Sequence, residues 1–101
     1  MFDFIKQLFK PKADFAQLVK HGAIIIDVRT KGEYATGHIR GSRNIPLDTM
    51  KKEVNSLKMH NKPVITVCRS GTRSSMAKSM LSSAGIEVYN GGAWNNLNKQ
   101  L

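Results

Sequence analysis

The chain has 101 residues, 41% apolar and 23% charged, which suits one soluble globular domain with a single hydrophobic core. Its net charge is +9, from 16 basic and 7 acidic residues, yet it lacks the basic runs and interleaved aromatics of a nucleic-acid binder. A field of this sign favours encounters with small anions and acidic protein surfaces.

Phe2, Ile5, Leu8 and Phe9 fall at helical spacing before Pro11, so residues 1–12 read as an N-terminal extension with a short helix, ahead of a domain over 13–101. Asp3, Lys6 and Gln7 interrupt any secretory apolar core, and no stretch reaches the length of a membrane span. Asp14 can cap a helix to about Lys20 with Phe15, Leu18 and Val19 inward, stopped by Gly22. Residues 23–26, Ala-Ile-Ile-Ile, form an unbroken apolar run of the kind buried on both faces of a parallel sheet. Thr30 and Glu33 make a capping box for a short helix through Ala35. An irregular turn over 37–41 leads to a brief strand at 43–45, closed by Pro46. Asp48 then caps a helix to about Lys58 with Met50, Val54 and Leu57 on one face.

Pro63 introduces a strand over 64–67, and a helix runs from about Thr72 to Ser83 with Met76, Met80, Leu81 and Ala84 inward and Gly85 as its stop. Residues 87–89 give a last short strand, and Gly91-Gly92 turns the chain into a C-terminal helix holding Trp94 and Leu97. Strands alternating with helices predict an α/β domain with a mainly parallel sheet of four to five strands and helices on both faces. Ligands of such sheets bind outside the carboxyl ends of the strands, where Asp27, Arg29 and Cys68 all fall.

Cys68 is the only cysteine, which excludes an internal disulfide, a zinc ribbon and a Cys-x-x-Cys redox pair. His21, His38 and His60 show no ligand spacing, so no metal is expected. The thiol sits where a buried strand meets the loop Arg69-Ser70-Gly71-Thr72-Arg73 and the start of a helix. Loop amides, a helix N-terminus and two guanidinium groups all favour a thiolate, with a pKa below the free value of about 8.5. A small apolar filler would not need so polar a loop. The free thiol suits a reducing compartment, hence a cytoplasmic protein.

Three separated signatures resemble the single-domain rhodaneses, a sulfurtransferase family. They are Ile26-Asp27-Val28-Arg29 with Glu33-Tyr34, Gly37-His38-Ile39 and Asn44-Ile45-Pro46; the loop Cys68-Arg69-Ser70-Gly71-Thr72-Arg73; and Gly91-Gly92 with Trp94. The resemblance implies the rhodanese fold and a cofactor-free ping-pong reaction through a persulfide on Cys68. A donor such as thiosulfate would load the sulfur and an acceptor such as cyanide would remove it. Arg69, Ser70, Gly71, Thr72 and Arg73 would bind the substrate anion. Asp27, Arg29 and Glu33 would pair as a charged network behind the site. His38 would bond backbone in the 37–41 turn rather than act as an acid or base. Rhodanese-like phosphatases use a loop one residue longer than the Cys-x4-Arg here, and Val67 stands where they carry a histidine. A protein-to-protein persulfide carrier, loaded by a desulfurase and docked through surface lysines, is the alternative to a thiosulfate enzyme. A non-catalytic binding module does not explain the cysteine and its loop, and a redox sensor would instead form sulfenic acid without sulfur turnover. The absence of a long exposed apolar strand points to a monomer.

Overall fold

The computed structural model describes residues 13–101, so the helix expected in the N-terminal extension lies outside the described residues. The elements in chain order are α1 (Phe15–Lys20), β1 (Ile24–Asp27), α2 (Lys31–Ala35), β2 (Arg43–Asn44), a 3-10 turn (Leu47–Thr49), α3 (Met50–His60), β3 (Val64–Cys68), α4 (Thr72–Ser83), β4 (Val88–Ala93) and α5 (Trp94–Asn98). The four strands form one parallel sheet in the order β2-β1-β3-β4. This is the α/β architecture that the alternation of patterns predicts.

Every residue of β3 is buried, because both faces of the central strands are covered. On one face α3 and α4 bring Met50, Leu57, Ala77 and Leu81 onto Ile26, Val64 and Cys68. On the other, α1 and α5 bring Phe15, Leu18, Trp94 and Leu97 onto Ile25, Ile65 and Val67. Full burial of one such aliphatic side chain is worth about 1.5–3 kcal/mol, so the alternation of β3 between two cores holds the strand that carries the cysteine.

The helix starts at Asp14 and Thr30 follow local chemistry. Asp14 accepts the Gln17 amide, and Thr30 and Glu33 complete the capping box in both directions. Three expectations need correction. Asp48 caps no α-helix: Leu47–Thr49 is a 3-10 turn, and the helix begins only at Met50. The Leu47 amide is held by the Val28 carbonyl and Thr49 Oγ1 by the Pro46 carbonyl, which tightens this stretch. Met76 is 57% exposed, whereas Ser74 and Ala77 face the sheet. The inward stripe of α4 therefore runs 74-77-81, and small residues at its start let the helix end approach β3 closely. Finally, Gly91 and Gly92 belong to β4 rather than to a turn. Thr66 pairs with Asn90 and Val67 with Gly92, so Gly91 is the extra residue of a β-bulge.

Candidate active site

Cys68 ends β3, and the chain must turn sharply to enter α4. Gly71 makes that turn at φ +105°, in the left-handed region where a side chain is strained. The turn folds backbone amides back over the sulfur: the Gly71 amide donates to Cys68 Sγ at 2.9 Å and the Ser74 amide at 3.4 Å. Ser74 Oγ stands 3.4 Å from the same atom. Cys68 is 1% exposed, and burial alone pushes its thiol pKa up. The Ser74 hydroxyl and the amides of Ser74, Gly71 and Ser70 outweigh that penalty and leave the thiol below its ordinary value. Local hydrogen bonds thus favour the thiolate at a buried sulfur.

The two loop arginines have separate fates. Arg73, on the first turn of α4, is held in a fork by Glu33, with Nη1–Oε1 at 2.7 Å and Nη2–Oε2 at 2.9 Å. Glu33 also accepts the Thr30 amide, and these bonds, Arg73 foremost, lower its carboxyl to about 2. The Glu33 carboxylate and Cys68 also favour the charged form of Arg73. Arg69 is exposed and forms no ion pair or side-chain hydrogen bond with the described residues. Ser70 and Thr72 are exposed at the rim. They line, with Gly71, Met76 and Lys78, an open groove of about 950 Å³ beside the loop.

Behind the loop, Asp27 and Arg29 form a buried pair, with Nη2–Oδ2 at 2.7 Å and Nε bonded to both carboxylate oxygens. Arg29 also donates to the carbonyls of Gly37 at 2.7 Å and Glu33 at 3.3 Å and lies 4.7 Å from the centre of the Trp94 ring. This fully engaged guanidinium ties the end of β1 to α2 and α5; it is a scaffold rather than an anion ligand. The expected single network of Asp27, Arg29 and Glu33 is therefore two pairs, with the Glu33 carboxylate committed to Arg73. His38 does bond backbone, but at the Tyr34 carbonyl, with Nδ1 at 2.8 Å and its ring stacked 3.7 Å from Tyr34. That ties it to α2 instead of to its own turn.

Two groups at the site escaped the sequence reading. Ser74 is fully buried against the sulfur, and Asn90 reaches it from β4 with its Oδ1 2.6 Å from Ser74 Oγ. Ser74, six residues after the cysteine on the first turn of a helix, was within reach of sequence logic. Asn90 was not, since only the β3–β4 register brings it there. Among the described residues no cluster of histidine, cysteine or carboxylates could hold a metal, and no helix is long and apolar enough to cross a membrane.

The family described as rhodanese-like domain matches residues 11–96. An uncharacterized protein of Bacillus subtilis, YqhL, is 42% identical over 69 residues, covering 67% of this chain and 54% of that one. The thiosulfate sulfurtransferase GlpE of Ectopseudomonas mendocina is 31% identical over 74 residues, covering 72% of this chain and 67% of its own length. Among solved structures, a rhodanese with anions from E. coli superposes at a TM-score of 0.67 with 32% identity, over 74% of this chain and 91% of that one. The chain thus spans only about half the length of YqhL.

Proposed function

From the premise that this chain belongs to the rhodanese-like family, we propose that it transfers sulfane sulfur from thiosulfate or a similar anionic donor through a persulfide on Cys68. The observation that carries this reading is the convergence of Gly71 N, Ser74 N and Ser74 Oγ on one buried sulfur whose thiolate they favour.

The first half-reaction follows from that arrangement. The Cys68 thiolate attacks the outer sulfur of thiosulfate, a new S–S bond forms, the donor's S–S bond breaks, and sulfite leaves with the bonding pair. Three negative charges enter and three remain, one on the persulfide and two on sulfite. In the second half, cyanide or another thiophile takes the terminal sulfur and returns the thiolate. No general base is needed once the thiol has ionised, which agrees with the stacked, backbone-bonded position of His38. Arg69 is the loop guanidinium open to the donor's oxygens, while Arg73 supports the loop from Glu33. Amides aimed at the sulfur stabilise charge there without reorganising, as fixed dipoles do in other nucleophile sites.

The test is intact mass after brief thiosulfate exposure, then after cyanide, beside Cys68→Ser. A gain of about 32 Da, absent from the variant and reversed by cyanide, is the expected result. An unchanged mass rejects thiosulfate as the donor.

A further inference from the structure

The Ser74 hydroxyl has one proton and three acceptors within reach: Asn90 Oδ1 at 2.6 Å, the Gly71 carbonyl at 3.0 Å and the Cys68 sulfur at 3.4 Å. Asn90 Oδ1 also accepts the Gly92 amide at 2.9 Å, and Asn90 Nδ2 donates to the Gly71 carbonyl at 3.2 Å. That carbonyl has a further donor in the Ser75 amide at 3.0 Å, so the loop stays anchored there without Asn90.

We propose that Asn90 is a positioning residue for the chemistry of Cys68: its side-chain oxygen holds the Ser74 proton while the sulfur is a thiol and yields it when the sulfur is charged. The inference rests on the reading of Cys68 as the sulfur nucleophile. In the neutral state the S–H donates to Ser74 Oγ, and Ser74 donates to Asn90. On ionisation the thiol proton leaves to solvent, the Ser74 hydroxyl rotates onto the thiolate, and no covalent bond to Ser74 or Asn90 changes. Asn90 Oδ1 keeps the Gly92 amide, so neither state leaves a buried polar atom without a partner. A charged acceptor outcompetes a neutral one, which lets a single hydroxyl follow the charge on the sulfur. Asn90 thereby sets how much of that hydroxyl's bond strength the thiolate gains.

The charged groups on the elements that meet at the sulfur are Arg69, next to it in the loop, Arg73 and Lys78 on α4, Glu33 of α2 paired with Arg73, and the Asp27–Arg29 pair at the end of β1. None is altered in the following comparison. The rate of Cys68 alkylation by iodoacetamide is measured from about pH 5 to 10 for the wild type, Asn90→Ala, Asn90→Asp, Ser74→Ala and the Ser74→Ala/Asn90→Ala double variant. Asn90→Ala removes the shortest acceptor of the Ser74 proton in the thiol state and leaves the longer Gly71 carbonyl contact, so the neutral form loses stabilisation and the variant's profile moves to lower pH. Its rate at pH 7 rises about twofold, the gain in thiolate being partly offset by lower nucleophilicity. Asn90→Asp keeps the acceptor oxygen and adds negative charge, so its profile moves to higher pH. In the Ser74→Ala background, removing Asn90 leaves the profile unchanged, because Asn90 acts through the hydroxyl. Movement of both Asn90 variants in the same direction, as general loosening of the loop would cause, overturns the proposal. So does an Asn90→Ala shift of equal size without the Ser74 hydroxyl. Alkylation does not require sulfur transfer. Opposite shifts in a protein that never gains sulfur from thiosulfate would refute the thiosulfate reading alone.

Discussion

Gly91→Ala tests whether the bulge in β4 holds the site in register. A Cβ built at Gly91 would stand 2.9 Å from Ile65 Cγ2, 2.9 Å from Val67 Cγ1 and 3.1 Å from Leu97 Cδ2. All three neighbours are fully buried, and the first two are β-branched side chains, stiff at χ1, on the central strand. They cannot swing away, so the bulge itself must move. Overpacking of this kind costs about 1–3 kcal/mol, and each kcal/mol lowers Tm by about 4–8 °C in a domain of this size, giving a fall of about 4–24 °C. Thermal unfolding followed by far-UV circular dichroism measures it. Gly32→Ala is the control, since nothing lies within 4 Å of its Cβ position. It sits inside α2 and is expected to be neutral or to gain up to about 1 kcal/mol. The bulge also sets Asn90 and Gly92 against the loop, so the alkylation profile of Gly91→Ala should shift along with its stability. A Tm within about 2 °C of the wild type would refute the packing argument, because it would mean less than about 0.5 kcal/mol of clash.

Arg69→Ala should raise the apparent thiosulfate constant more than Arg73→Ala, because Arg73 is already held by Glu33; steady-state thiocyanate formation measures both, and equal effects would defeat the assignment. Gly71→Ala forces a side chain into φ +105°, a strain of about 1–3 kcal/mol, and should slow sulfur loading in the mass assay while Cys68 remains present. Glu33 has a folded pKa of about 2 against an ordinary 4.5. A depressed carboxyl contributes stability above its unfolded pKa and loses it on acidification towards the folded one. The Tm difference between wild type and Glu33→Gln should therefore be full at pH 6 and shrink as pH falls from about 4.5 towards 2, and a difference that stays constant with pH would contradict the pairing.

Much of this was legible from local chemistry. Residues 24–26 announce a doubly buried strand by unbroken branching, the Thr30 capping box needs only four residues, and the cysteine loop is contiguous. The illegible parts depend on partners distant in sequence. Glu33 and Arg73 stand 40 residues apart, and which cation Glu33 takes depends on how α2 meets α4. Gly91-Gly92 carries the signal of a turn, and only pairing with Thr66 and Val67 shows a bulge. Met76 fits the apolar stripe of α4 by composition, but the close approach of the helix end to β3 selects Ser74 and Ala77 for the inner face. Asp48 resembles a cap, yet the carbonyls of Val28 and Pro46 set the backbone there first.

The assembly of the site from remote segments has a kinetic side. Ser74 meets Asn90 across 16 residues, Arg73 meets Glu33 across 40, and β1 pairs with β3 through Ile24 and Val64. Each contact closes a loop before it gains anything, and topologies rich in such distant pairings fold slowly. In the unfolded chain the thiol has the reactivity of an unstructured cysteine, so its labelling rate during refolding reports when the loop and β4 have assembled around it.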